Sequence, residues 1–114
     1  MNNRGAAAEA RAAHYLEARG LQIVARNYRS RYGEIDLIAQ DGARLVFVEV
    51  RARKSSVFGG AAASITPAKQ QKITRTAWHY LATLGHTPPC RFDAVLLTNN
   101  ASTIEWVRDA FSAA

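Results

Sequence analysis

Glu34, Asp36 and Glu49 interrupt what would otherwise be two apolar strands in the stretch "GEIDLIAQDGARLVFVEVRAR", which runs from Gly33 to Arg53, and Arg51 stands two places after the last of them. Carboxylates gathered among apolar side chains repel one another unless a cation neutralises them. A divalent ion such as Mg²⁺ or Mn²⁺ would do so, since it takes carboxylate oxygens together with a backbone carbonyl and water. Arg51 and Arg53 offer the other route, as ordinary ion pairs with Glu34 and Glu49 on a solvated face.

Strand parity tests whether the acids meet. The Asp41-Gly42 pair marks a hairpin turn, and side chains alternate between faces along each arm. Ile35, Leu37 and Ala39 then share one apolar face with Val46, Val48, Val50 and Ala52. The opposite face carries Glu34, Asp36, Ile38 and Gln40 beside Leu45, Phe47, Glu49, Arg51 and Arg53. Two registers keep the apolar sets together. A two-residue turn sets Glu34 against Glu49; a four-residue loop over Asp41 to Arg44 sets Asp36 against Glu49 and Glu34 against Arg51. Cross-strand Cβ atoms lie roughly 4.5–5.5 Å apart, so the carboxylates cluster in either register. Ile38, Leu45 and Phe47 make their face a partly covered cleft, where unpaired acids are costly.

The surrounding pattern supplies the elements that hold this hairpin. Ala6 to Arg19 reads as a helix, with Ala8, Ala12, Tyr15 and Leu16 at helical spacing and Gly20 as its stop. Leu21 to Arg26 reads as a short strand, and "RNYRSRYG" as a loop in which Arg26, Arg29 and Arg31 alternate with Tyr28 and Tyr32. Arginine grips phosphate and tyrosine stacks, so this loop suits a polyanion, although a solvated basic loop reads the same way. "KSSVFGGAAASI" is expected to form a mobile loop beside the site. Thr66 and Pro67 then open a second helix. Its core face is Ile73, Ala77, Tyr80, Leu81 and Leu84, its basic stripe is Lys69, Lys72, Arg75 and His79, and Gly85 ends it. "CRFDAVLLT" and "STIEWVRDAF" add two strands across a turn at Thr98 to Ala101. The order α-β-β-β-α-β-β predicts an α/β fold, a mixed sheet of about five strands flanked by helices.

Composition narrows the function class. A chain of 114 residues, 48% hydrophobic and 21% charged, is expected to fold as one globular domain. Fifteen basic against nine acidic residues give a net charge of +6, and twelve of the fifteen are arginine, which points to a polyanionic partner. Cys90 is the single cysteine, so no intramolecular disulfide forms, in keeping with a reducing compartment. The N-terminal alanines are broken by Glu9, Arg11 and His14, which is not the pattern of a secretory leader. No run reaches the roughly 18 apolar residues of a membrane span. A soluble, cytoplasmic location and no membrane partner are expected.

The same residues carry a resemblance. "GAAAEARAAHYLEARG", the hairpin stretch and "RFDAVLL" resemble the YraN-like family of small bacterial proteins, over residues 5 to 97. That family lies within the restriction-endonuclease-like superfamily, which includes archaeal Holliday-junction resolvases. The resemblance implies a PD-(D/E)xK-type phosphodiesterase centre. Asp36 matches its first metal-binding acid, Glu49 its second, and Glu9 a helical acid that relatives direct toward the metal. Glu34 belongs to the family's own Gly-Glu-Ile-Asp pattern, and Lys69 falls in the helix where relatives carry a basic residue. Arg51 occupies the position of the signature lysine. Arginine stays protonated and cannot act as a general base, so it can contact phosphate but not take a proton.

These readings combine into an expectation of an Mg²⁺- or Mn²⁺-dependent endonuclease acting on DNA rather than RNA, branched structures included. Asp36, Glu49, the Val50 carbonyl and Glu9 would hold the metal. Arg51 would contact the scissile phosphate, with Lys54 or Lys69 available in place of the missing lysine. Arg26, Arg29, Arg31, Arg53, Lys54, Lys69, Lys72 and Arg75 would position the backbone, and Glu34 and Asp93 would be accessory acids. Two further readings stand beside it: a module of the same fold that binds DNA or RNA without cutting, and a protein-interaction factor. A homodimer follows by analogy with resolvases. His14, His79 and His86 are too scattered for a metal set, and Trp78 and Trp106 read as packing residues.

Overall fold

The computed structural model describes residues 3–53, 65–98 and 102–113. The small-residue segment at 54–64, Lys54 included, and the turn at 99–101 lie outside the described residues. The elements are α1 (Asn3–Glu17), β1 (Gln22–Ser30), β2 (Gly33–Asp41), β3 (Arg44–Arg53), α2 (Pro67–Ala82), β4 (Cys90–Thr98) and β5 (Thr103–Phe111). Their order is the expected α-β-β-β-α-β-β, and the strands form one five-stranded sheet in the order β1-β2-β3-β4-β5. Only β3 and β4 run parallel. A parallel pair needs a crossover long enough to return the chain, and α2 lies in that connection.

Each face of the sheet carries one helix. On the α1 face, Ala8, Ala12, Ala13 and Leu16 pack against Leu37, Ala39, Val46, Val48, Val95 and Leu97. On the other, Ile73, Ala77 and Leu81 of α2 cover Ile35, Ile38, Leu45, Phe47, Phe92, Ala94 and Leu96. The second face is therefore buried and not a partly covered cleft: Phe47 is 1% exposed. The helix supplying the cover comes from beyond the hairpin, which is why hairpin parity alone does not reveal it. Rings run across this face from Tyr28 through Tyr80, Phe47 and Phe92 to Phe111, with successive centroids 5.1, 6.2, 5.5 and 4.8 Å apart.

Local chemistry sets the helix ends. Thr66 Oγ1 accepts a hydrogen bond from the Lys69 N–H at 3.2 Å, and Pro67 follows at the first helical turn. Gly20, at φ 95°, leads the chain out of α1. The segment expected as a basic loop is instead strand: β1 continues through Arg29 to Ser30, and only two residues separate it from β2. As an edge strand it keeps Arg26 and Arg29 in solvent while Tyr28 packs inward, so charge hides its period. The hairpin closes with Asp41 paired to Arg44, so the turn is Gly42-Ala43, one place later than the Asp41-Gly42 turn expected and shorter than a four-residue loop, with Gly42 holding φ at 62°. This is the register with Asp36 toward Glu49.

Asp93, 0% exposed, anchors the far end of the sheet. Its carboxylate accepts from Arg91 Nε at 3.0 and 3.1 Å, from Trp106 Nε1 at 2.9 Å and from the Asp109 N–H at 2.9 Å. Arg91 reaches on to Asp41 at 3.1 Å, tying the hairpin tip to β4. Arg108 to Ala110 of β5 bulge around Asp93, between the partners of Phe92 and Ala94, with Asp109 at φ 55°. Asp93 is thus held in a structural network. Asp93→Ala leaves a buried guanidinium and two N–H groups without their acceptor, and is expected to cost about 3–5 kcal/mol. Urea unfolding of the two proteins measures it; a loss below about 1 kcal/mol contradicts the assignment.

Candidate metal centre and nucleic-acid interface

The acids meet where the regular ladder stops. The pairing of β2 with β3 runs from Asp41↔Arg44 to Leu37↔Val48, whereas β3 continues against β4 as far as Arg53↔Thr98. On the other side of β2, Asn27 falls opposite Asp36, between the pairs Arg26↔Leu37 and Tyr28↔Ile35. Asn27 has φ 52°, a left-handed conformation that asparagine tolerates better than most residues. Both irregularities fall on one rung. Strict alternation fails there: Ile35 joins the α2 face instead of following Leu37 and Ala39 to the α1 face. The uninterrupted apolar face expected from parity is broken at Asp36, which stands between the two layers.

That position gives Asp36 neighbours from both sides. Carboxylate oxygens of Glu9, Glu34 and Asp36 lie within 4.8 Å of one another. Glu49 lies close enough to Asp36 to raise its carboxyl, and the Val50 N–H donates to Asp36 Oδ2 at 2.8 Å. Burial first, then Glu49, pushes the Asp36 carboxyl from its ordinary 3.8 up to about 8, against the opposing pull of the Val50 N–H and Arg51. Glu9 is also raised, by burial and then by the charge on Asp36, while a hydrogen bond with Asn27 acts the other way.

The cations are arranged around this group. Arg51 Nη2 lies 3.3 Å from Glu49 Oε2, while its Nε is buried without a hydrogen-bond partner among the described residues. Arg29 Nε pairs with Glu34 Oε2 at 3.1 Å, in a setting open enough to water that the pair contributes little. Lys69 and Lys72 of α2 line the same recess as Gly33, Glu34, Asp36, Glu49, Val50 and Arg51. Gly33 adopts φ 155°, and a Cβ there would lie 3.5 Å from Lys72 Cβ, so the hairpin start and α2 approach closely. Ser30 Oγ to Thr76 Oγ1, 3.1 Å, fixes that approach.

Of the residues singled out in the sequence, Glu9, Glu34, Asp36, Glu49, Val50, Arg51, Lys69 and Lys72 come together. Arg26, Arg29, Arg31 and Arg75 are exposed around them on β1, the turn after it and α2. Arg53 ends β3, and Lys54 is outside the described residues. Asp93 does not join the group, being held by Arg91, Trp106 and Asp109. Asn27 was not anticipated. An asparagine inside an otherwise strand-like run, a residue able to turn the backbone left-handed, is the signal that could have found it. Carboxylate oxygens held this close make a set suited to a hard divalent cation.

Residues 8–97 match the family described as "Uncharacterised protein family UPF0102". The chain belongs to that family. It is similar to the UPF0102 protein of Nitrosomonas eutropha, 56% identical over 109 residues that cover 96% of this chain and 93% of the relative. The UPF0102 protein of Methylobacillus flagellatus is 56% identical over 114 residues, covering 99% and 100%. That of Psychromonas ingrahamii is 50% identical over 110 residues, covering 96% and 90%. The YraN-like resemblance read in the sequence is thereby supported. No helix among the described residues of this UPF0102 chain is long and apolar enough to cross a membrane.

The raised Asp36 carboxyl has a thermodynamic consequence. Because its folded-state value lies above the ordinary one, the stability it contributes is full below about 4 and is lost as pH rises through about 8. Metal-free protein in EDTA should therefore lose stability between pH 4 and 8 relative to Asp36→Asn, on the order of a few kcal/mol. Thermal melts across that window read the difference; parallel curves for the two proteins count against a raised carboxyl.

Proposed function

We propose that the protein binds nucleic acid, DNA before RNA, and is an Mg²⁺- or Mn²⁺-dependent endonuclease that hydrolyses phosphodiester bonds. The observation that carries this reading is the convergence of Glu34, Asp36 and Glu49 in a recess walled by Lys69 and Lys72, with the Glu9 carboxylate close to those of Glu34 and Asp36. Acids ready to hold a cation lie beside lysines ready to hold a phosphate. A chain of net charge +6 concentrates a polyanion near such a recess.

Asp36, Glu49, Glu9 and the Val50 carbonyl would hold the metal, with Glu34 at the rim. When bound, such an ion supplies Lewis acidity and a water of lowered pKa. The chain's own residues do the rest. The Val50 N–H fixes the Asp36 carboxylate in one orientation. Arg51, oriented by Glu49, presents guanidinium N–H groups to a phosphate oxygen and stabilises the charge that grows there. Lys69 and Lys72 hold the flanking phosphates, and Lys69 is the lysine available near the position where the related signature has one. Arg26, Arg29, Arg31, Arg53 and Arg75 would seat the rest of the backbone without reading sequence.

One observation favours binding without cleavage. Arg51 already pairs with Glu49, and an arginine there cannot take a proton from water. Incubating branched, single-stranded and duplex DNA with Mg²⁺ or Mn²⁺ separates the readings. The endonuclease produces cleavage that Asp36→Asn and Glu49→Gln each reduce at least about 100-fold, as loss of a metal ligand does. No product, or product that survives both substitutions, removes the hydrolytic assignment and leaves binding.

Binding has its own measure. Affinity should fall steeply with salt, and Lys72→Ala should weaken all DNA forms alike while reducing the slope of log K against log salt by about 1. An affinity indifferent to salt would point instead to a protein partner.

A further inference from the structure

We propose that Trp78 is a stacking platform for an unpaired nucleobase, so that the strand served by the acid recess is single-stranded or carries unpaired nucleotides. This rests on the nucleic-acid reading above and narrows its substrate class. Trp78, expected from the sequence to pack inside, is 57% exposed, whereas Trp106 is half-buried with its Nε1 bound to Asp93. A large ring left in water beside a well-filled core calls for an occupant.

The helix surface connects that ring to the recess. Lys69, Lys72, Arg75 and Trp78 recur at every third position of α2, and residues three apart are neighbours on a helix, about 5–6 Å between Cβ atoms; each step turns the row by about 60°, so it climbs from the recess flank over the exposed side of α2 at Arg75 to Trp78 on the opposite flank. The row begins at Lys69 and Lys72, which line the recess with Asp36 and Glu49. It crosses exposed Arg75 and ends at Trp78, at the edge of an apolar hollow lined by Thr74, Ala77, Leu81, Pro88 and Phe92. No acidic residue occurs anywhere in α2. Three cations followed by an aromatic face match the two parts of a nucleotide chain, with phosphates on the lysines and arginine and a base on the indole. An acidic or apolar peptide would use only half of the row.

In a duplex the bases are stacked and paired, and their faces are closed to the indole. Trp78 therefore distinguishes unpaired from paired strands while leaving sequence unread, because every base has a π-face.

The test compares the full chain with Trp78→Ala and Trp78→Phe, using a single-stranded oligonucleotide and a blunt duplex of the same length. The single strand should quench tryptophan fluorescence of the parent and not of Trp78→Phe. Trp78→Ala should weaken single-strand binding about 5- to 100-fold, with Trp78→Phe retaining most of it and duplex affinity unchanged in both. Thermal melts verify that both variants fold, which the exposure of the ring favours. Single-strand binding unaltered by Trp78→Ala, with steep salt dependence intact, overturns the stacking role and leaves nucleic-acid binding standing. Equal losses on single strand and duplex also overturn it. Failure of the parent to bind either nucleic acid removes both.

Discussion

Asp36 stands on the rung where β2 has parted from β3 and β1 turns through left-handed Asn27, so its carboxyl meets Glu9 from one layer and Glu49 from the other. A regular ladder would keep those layers apart, since alternate side chains of a strand point to opposite faces. Had pairing continued past Leu37↔Val48, the Val50 N–H would have been available to the ladder instead of to the Asp36 carboxylate. The broken rung thus does two jobs. It brings acids from opposite faces into one group, and it frees a backbone donor to orient the central one.

The two faces differ in the size of the side chains that fill them. Rings dominate under α2, from Tyr28 to Phe111, and hold that helix over the sheet with its lysine side toward the hairpin start. Alanines dominate under α1, where Ala12 and Ala13 are fully buried. Small side chains let a helix approach closely, and a short-reaching carboxyl such as that of Glu9 can then contact the sheet's own acids. At the opposite end Arg91 links Asp41 to Asp93, so the hairpin is held shut at its tip and open at its base.

Much of this was legible in the residues. Element order, the Thr66-Pro67 start of α2 and the hairpin follow from spacing and turn chemistry, which leave two registers open; the structure adopts the one that sets Asp36 toward Glu49. What stayed hidden depends on contacts between distant parts of the chain. The second half of β1 reads as a loop because an edge strand tolerates Arg26 and Arg29 in solvent, and because Asn27 interrupts its alternation. Ile35 was assigned to the wrong face for the same reason, seen from the neighbouring strand. Burial of Ile38, Leu45 and Phe47 depends on a helix that arrives only after β3, which no window on the hairpin contains. Asp93 reads as an accessory acid because its partners Trp106 and Asp109 come from β5, which follows it in the chain.

The alanine face of α1 has a consequence for how the family can vary. Ala12 and Ala13 carry no charge, yet any larger side chain at either position would push the helix away from the sheet and carry the Glu9 carboxyl with it. The spacing of the oxygens is therefore metered by methyl groups. Drift at these uncharged positions would detune the site as surely as losing one of its acids, while leaving every acid in the sequence intact.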